Sequence, residues 1–249
     1  MNFDAANLAL LWPASIVGLL ITAALVPLGI QVIGRGIVFI DLAIAQIAGL
    51  GVIVADALGW EPQGGAMQAA ALSAALCAAV LLTWTERRWP EVQEAIIGAA
   101  FVLASSVAIL LLAHNPHGGE HLKDLLVGQI LWVDPARLPV DALIYGVIVA
   151  LWFTLSERIG RIGFYVLFAC AVTESVQLVG LYLVFATLVI PALATYYVKR
   201  QRLPKAYAIS VTGYAIGLAA SAVADLPSGP MIVCALVASG ILFASLTRQ

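Results

Sequence analysis

Long apolar runs almost empty of charge decide what this chain can fold into. They cover approximately residues 10–33, 37–58, 67–84, 93–113, 138–155, 162–177, 179–198, 206–224 and 230–246. A bilayer core takes a helix of about 20 apolar residues. In lipid only helices or closed barrels satisfy the backbone, and a barrel would show alternation in place of continuous runs. The block from 162 to 198 exceeds one span and divides near Gly180, so eight or nine helices are expected. Composition agrees: 63% of the 249 residues are hydrophobic and 10% charged, against roughly 25% charged in a soluble globule. The expectation is an all-α polytopic membrane protein, one transmembrane domain over residues 1–249.

Basic residues recur in alternate loops, at Arg35, Arg87 and Arg88, Arg158 and Arg161, "KRQRLPK" (199–205) and Arg248. The positive-inside rule makes these loops cytoplasmic and turns "GWEPQGG", "HNPHGGEHLKD" and "DLPSGP" outward. Between the histidine-bearing loop and the span at 138–155, "LLVGQILWVDPARLP" is too short and too broken by Gly128 and Pro135 for a full span. A short re-entrant or interfacial helix fits. Pro13, Pro27 and Pro191 fall in or near spans, where each frees a backbone carbonyl; proline is also simply commoner in membrane helices. Cys77, Cys170 and Cys234 lie inside apolar runs and read as small core residues. The opening "MNFDAANLALLWP" lacks the basic n-region of a cleaved signal peptide. With no GxxxxGK[ST] loop and no paired catalytic groups, the chain is not expected to be an enzyme or to hydrolyse ATP itself. Nothing points to nucleic acid.

Polar residues inside such runs are functional candidates by default. Asp41 sits near the start of its run, six residues from Arg35, and either lines a pathway or pairs with a basic group. Glu174 is deeper, with Gln177 three residues on along the same helix face. The alternative for Glu174 is an interhelical hydrogen bond near a helix break. Glu94 organises a helix N-terminus through the dipole. All three histidines fall in one loop: His114, His117 and His121, with Glu120 beside the last. Their spacings of three and four would align imidazoles for zinc on a helix. Pro116 and the Gly pair at 118–119 argue against a helix there, leaving metal capture and a plain solvated loop both open. Trp60, Trp84, Trp89, Trp132 and Trp152 near span ends suit an aromatic belt.

Five stretches together resemble the permease subunit of bacterial ABC transporters for zinc, manganese and ferrous iron. They are "ALVPLGIQVIGRGIVFIDLAIAQIAGLGV" (24–52), "EAIIGAAF" (94–101), "LLVGQILWVDPARL" (125–138), "VQLVGLYLVFATLVIPALAT" (176–195) and "DLPSGPMIVC" (225–234). The resemblance implies a permease in the bacterial inner membrane, working by alternating access with a second copy or a paralogue. A separate ABC ATPase would use the ATP and an extracytoplasmic metal-binding protein would deliver the ion; no cofactor resides in this chain. It implies a pathway around Asp41, Gln46, Gln129, Glu174 and Gln177, and ATPase contact through Glu157, Arg158 and Arg161.

The sequence departs from the family twice. Where the family's second helix reads Gly-Asp-x-x-x-His, a ligand pair four residues apart on one face, this chain has Asp41, Leu42 and Gln46. Asp41 and Gln46 are five apart and diverge by about 140°. Gln129 likewise replaces an acidic position, and amides bind zinc or manganese poorly beside carboxylate and imidazole. The family's coupling helix after the fifth span is reduced here to "SERIGR". These departures keep two further expectations alive: a sensor or scaffold subunit of the same fold, or a permease for a non-metal or metal-chelate substrate.

Overall fold

In the computed structural model, residues 5–60, 65–112, 130–155 and 160–247 are described. Nine helices run through them: α1 Ala5–Arg35, α2 Ile40–Ala57, α3 Gly65–Arg88, α4 Gln93–Leu112, α5 Leu138–Leu155, α6 Gly160–Val179, α7 Leu181–Ala194, α8 Arg202–Ala224 and α9 Ser228–Thr247. Eight of these are long and apolar enough to cross a membrane, and α7 is a shorter apolar helix of 14 residues. Among the described residues there is no strand. The chain is an all-α polytopic membrane protein.

The expected division at Gly180 is present. Its φ of 80° breaks α6 from α7 in a conformation that glycine adopts without Cβ strain. Short 3-10 turns occupy Pro90–Val92 and Ile130–Trp132. The second is all that the described residues hold of the expected re-entrant helix: Ile130 is buried against the bundle and Trp132 is 75% exposed. Residues 133–137 of that segment run on as turns into α5, and residues 125–129, with Gln129, lie outside the described residues.

α1 and α6 form the centre. In their most apolar windows 61% and 67% of residues are buried, against 22% for α4, α5 and α9. The outer helices leave Leu103, Leu110, Leu143 and Ile241 more than half exposed, as residues facing lipid are, where apolar exposure costs nothing. Cys77 and Cys234 belong to that exposed surface and Cys170 is half-buried, so the expectation of core cysteines is corrected; lipid accepts a small apolar side chain as readily as a core does.

Small residues set the tightest contacts. α8 packs on α9 through Gly213 and Gly217, where a Cβ would strike Leu236 and the backbone of Ile232. This four-residue small-residue spacing lets two membrane helices approach backbone to backbone. Gly29 does the same for α1 against α7: a Cβ there would overlap the Leu188 carbonyl. Polar side chains then join neighbours: Thr22 and Ser210 hydroxyls at 3.0 Å link α1 to α8, and Thr187 and Tyr214 hydroxyls at 2.8 Å link α7 to α8. Thr187 also donates to the Leu183 carbonyl at 2.7 Å. Its one proton is thereby used, so Tyr214 is the donor in the pair.

Candidate functional site

Two polar clusters interrupt the apolar interior. α5 and α6 are joined at one end by only four residues, 156–159, so the start of α5 and the end of α6 lie together at the opposite end. There Arg137, just ahead of α5, stands with Nη2 3.8 Å from Glu174 Oε1 and Nε 4.0 Å from Asp141 Oδ1. These are charge contacts, too long for hydrogen bonds. The Asp141 side chain is fully buried, Glu174 is 13% exposed and Arg137 47% exposed. Both carboxyl groups face the same guanidinium, and neither Asp141 oxygen nor Glu174 Oε1 has a hydrogen-bond partner among the described residues. One turn further along α5, the buried Tyr145 hydroxyl meets Ser175 of α6 at 2.7 Å. Arg137, Asp141 and Tyr145 thus carry one stripe of α5 at four-residue steps, facing Glu174 and Ser175. One cation there faces two acids, at the end expected to face outward.

The second cluster gathers where α1, α3 and α6 bring their basic ends together. Asp41, in the first turn of α2, is fully buried. Its carboxylate faces the first-turn amides of Asp41 and Leu42 without closing a hydrogen bond of ordinary geometry. Glu94 is the nearby charge, and its Oε1 accepts the backbone N–H of Phe39 at 3.3 Å. Glu94 therefore does organise a helix N-terminus, that of α2 rather than its own. Arg35 does not pair with Asp41; its guanidinium lies 4.1 Å over the Phe164 ring, an arrangement that holds a cation without burying a second charge. Alongside, buried Gln93 donates to the Leu82 carbonyl at 3.0 Å and accepts from Thr85 at 3.0 Å.

The residues expected to line a pathway therefore do not share one site. Asp41 is at the basic end and Glu174 toward the opposite end. Gln46 is half-buried on α2 and, among the described residues, has no hydrogen bond to Asp41. Gln177 is exposed and does not join Glu174: three residues on, it turns away while Glu174 faces Arg137. Asp141 and Arg137 were missed by sequence reasoning. His114, His117, Glu120, His121, Glu157 and Arg158 lie outside the described residues. Arg161 is exposed in the first turn of α6. Among the described residues, no group of three or more His, Cys, Asp or Glu is placed to hold a metal ion.

The ABC 3 transport family matches residues 7–159 and 149–249. No curated protein matches the sequence significantly. Among solved structures, PsaBC from Streptococcus pneumoniae in complex with Fab superposes with a TM-score of 0.76 at 19% identity, covering 94% of this chain and 90% of that one. A transporter described as of metal-chelate type, in an inward-facing conformation, gives 0.71 at 16% identity, covering 100% of this chain and 90% of that one. At these identities the structures establish likeness of fold.

Proposed function

The chain belongs to the ABC 3 transport family and is the membrane-spanning permease type of subunit; from that premise we propose that it imports a divalent metal ion of the zinc or manganese type. It works by alternating access, paired with a second copy or a paralogue, driven by a separate ABC ATPase and fed by an extracytoplasmic binding protein in the bacterial inner membrane. The observation that carries this reading is the Asp141–Glu174 pair, two carboxylates kept at a substantial desolvation cost inside a bundle that could have used apolar residues.

The chemistry follows from the charges. Arg137 balances one carboxylate of the two and, being half exposed, can swing toward water. An arriving divalent cation offers the pair twice the charge that Arg137 does, in a setting where hard oxygen ligands suit manganese well. Displacement of Arg137 then marks the site as loaded. At the basic end, Asp41, which is buried, and Glu94, where α2 and α4 begin, offer a second acidic position along the path.

The test is uptake of radiolabelled zinc and manganese into cells carrying the chain with its neighbouring transport genes. Uptake that falls on Asp141→Asn and Glu174→Gln, with the protein still in the membrane, supports the reading. Wild-type cells that take up neither ion better than a deletion strain would reject it. A second reading, a metal-chelate substrate, draws on the lack of a three-residue metal cluster among the described residues and on the second structural relative. Uptake of the ion only when it is supplied with a chelator would favour it. The third possibility, a sensor or scaffold, requires that no ATPase co-purify.

A further inference from the structure

The loop between α7 and α8 and the neighbouring half of α9 enclose an open groove of about 800 Å³. Its two walls differ in chemistry. Leu193, Val237 and Ile241 give an apolar side, 60%, 40% and 65% exposed respectively. Lys199, Arg200 and Lys205 give a basic rim. None of these three cations has an ion-pair partner among the described residues. The fourth basic residue of the same loop is used differently: Arg202 donates to the Ala192 carbonyl at 3.1 Å and lies 5.6 Å from the centre of the Tyr196 ring. Arg202 thus closes the end of α7 and holds the loop in shape, while the side chains of the other three cations make no ion pair or hydrogen bond among the described residues. The loop is further fixed by Thr195 donating to the Pro191 carbonyl at 2.8 Å and by the left-handed Gln201 that starts α8.

We propose that this groove binds one anionic phospholipid of the cytoplasmic leaflet, its phosphate on Lys199, Arg200 and Lys205 and an acyl chain along α7 and α9. Depth supports a lipid. Val237 stands ten residues before the Thr247 end of α9, about 15 Å along a helix, which is one leaflet of a hydrocarbon core about 30 Å thick. A water-soluble ATPase segment would have to enter hydrocarbon to cover that wall. A second copy docked by two-fold symmetry would set three unpaired cations against three more. A lipid alone brings a compensating anion and an apolar tail of the right reach, and basic pockets between helices on this side of a membrane select anionic headgroups. The site does not depend on what the permease carries.

Native mass spectrometry of the purified chain in mild detergent, titrated with phosphatidylglycerol or with phosphatidylcholine of the same acyl chains, tests it. Phosphatidylglycerol should be retained and should raise the melting temperature, whereas phosphatidylcholine should do neither. The triple change Lys199→Gln, Arg200→Gln, Lys205→Gln should weaken that retention roughly a hundredfold. Val237→Trp, which fills the apolar slot and keeps every cation, should also abolish retention. Arg87→Gln with Arg88→Gln removes two cations at another basic loop and should leave it intact. Equal retention of the two lipids would overturn the proposal, as would loss of binding in the Arg87/Arg88 control. Phosphatidylglycerol that is released by millimolar inorganic phosphate and unaffected by Val237→Trp would mean a bare anion rim, and would overturn it as well.

Discussion

Tyr207 of α8 donates its hydroxyl to the Ala23 carbonyl of α1 at 3.0 Å, and Ala23 is the residue whose carbonyl Pro27 leaves without a helical partner. A helix bonds each N–H to the carbonyl four residues back, and proline has no N–H to give. The freed acceptor lies within the bundle, where water cannot reach it easily. Tyr207 supplies the missing donor from a different helix and so fixes α8 against the proline step of α1.

Tyr207→Phe should therefore lower stability by about 1 kcal/mol, read as a drop of a few degrees in the melting temperature of the detergent-purified protein. The informative comparison is Pro27→Ala, which restores an N–H at position 27. In that background Tyr207→Phe should cost clearly less, because the carbonyl regains its partner. An identical cost in both backgrounds would sever the link between Tyr207 and Pro27.

Gly29 is placed to fail on the gain of a single methyl. A Cβ there overlaps the Leu188 carbonyl, so Gly29→Ala must push α1 and α7 apart, an overpacking cost of about 1–3 kcal/mol. Gly34, on the same helix, has nothing within 4 Å of its would-be Cβ. There the change to Ala should stabilise by up to about 1 kcal/mol through helix propensity. Melting temperatures of the two variants should move in opposite directions; a shift of both the same way would reject the close approach.

The spans and the break at Gly180 were legible in the sequence because length and hydropathy act locally: 35 residues from Gly160 to Ala194 exceed one crossing of about 20. Pro27 was legible as a source of a free carbonyl, but its partner was not, since Tyr207 reaches it through tertiary packing. The six-position separation of Arg35 and Asp41 suggests a pair, and Phe164 takes the cation instead. Asp141 was passed over because a charge in the first turn of a span looks interfacial. Its burial comes from the helices packed on α5, α1 foremost and α6 beside it. The available signal was the four-residue stripe of Arg137, Asp141 and Tyr145, polar on one face of an apolar helix.

Glu94 holds the entry of α2 by accepting the Phe39 N–H, one of the donors a helix start leaves unsatisfied. Glu94→Ala should speed amide hydrogen exchange in the 36–40 turn, while Glu94→Gln, which keeps an acceptor oxygen, should change it little. Equal acceleration in both variants would mean that the carboxylate charge, rather than the hydrogen bond, fixes the turn.

Arg137, shared by Asp141 and Glu174, makes a prediction with a distinctive sign. Removing it by Arg137→Gln leaves two carboxylates facing one another without a cation. Loss of one partner from a fully buried pair costs about 3–5 kcal/mol; the half exposure of Arg137 and its distances of 3.8 and 4.0 Å reduce this to about 1–2 kcal/mol by solvent screening. Asp141→Asn in the Arg137→Gln background should recover most of that loss, because a single carboxylate then remains and the amide can donate to it. In the wild-type background the same Asp141→Asn change removes one of Arg137's two charges, and its benefit should be smaller or absent. The pairwise coupling measured from the four melting curves should thus favour the double variant over the sum of the singles. Additive effects would show that the three groups act independently, and with that the picture of one cation serving two acids would fall.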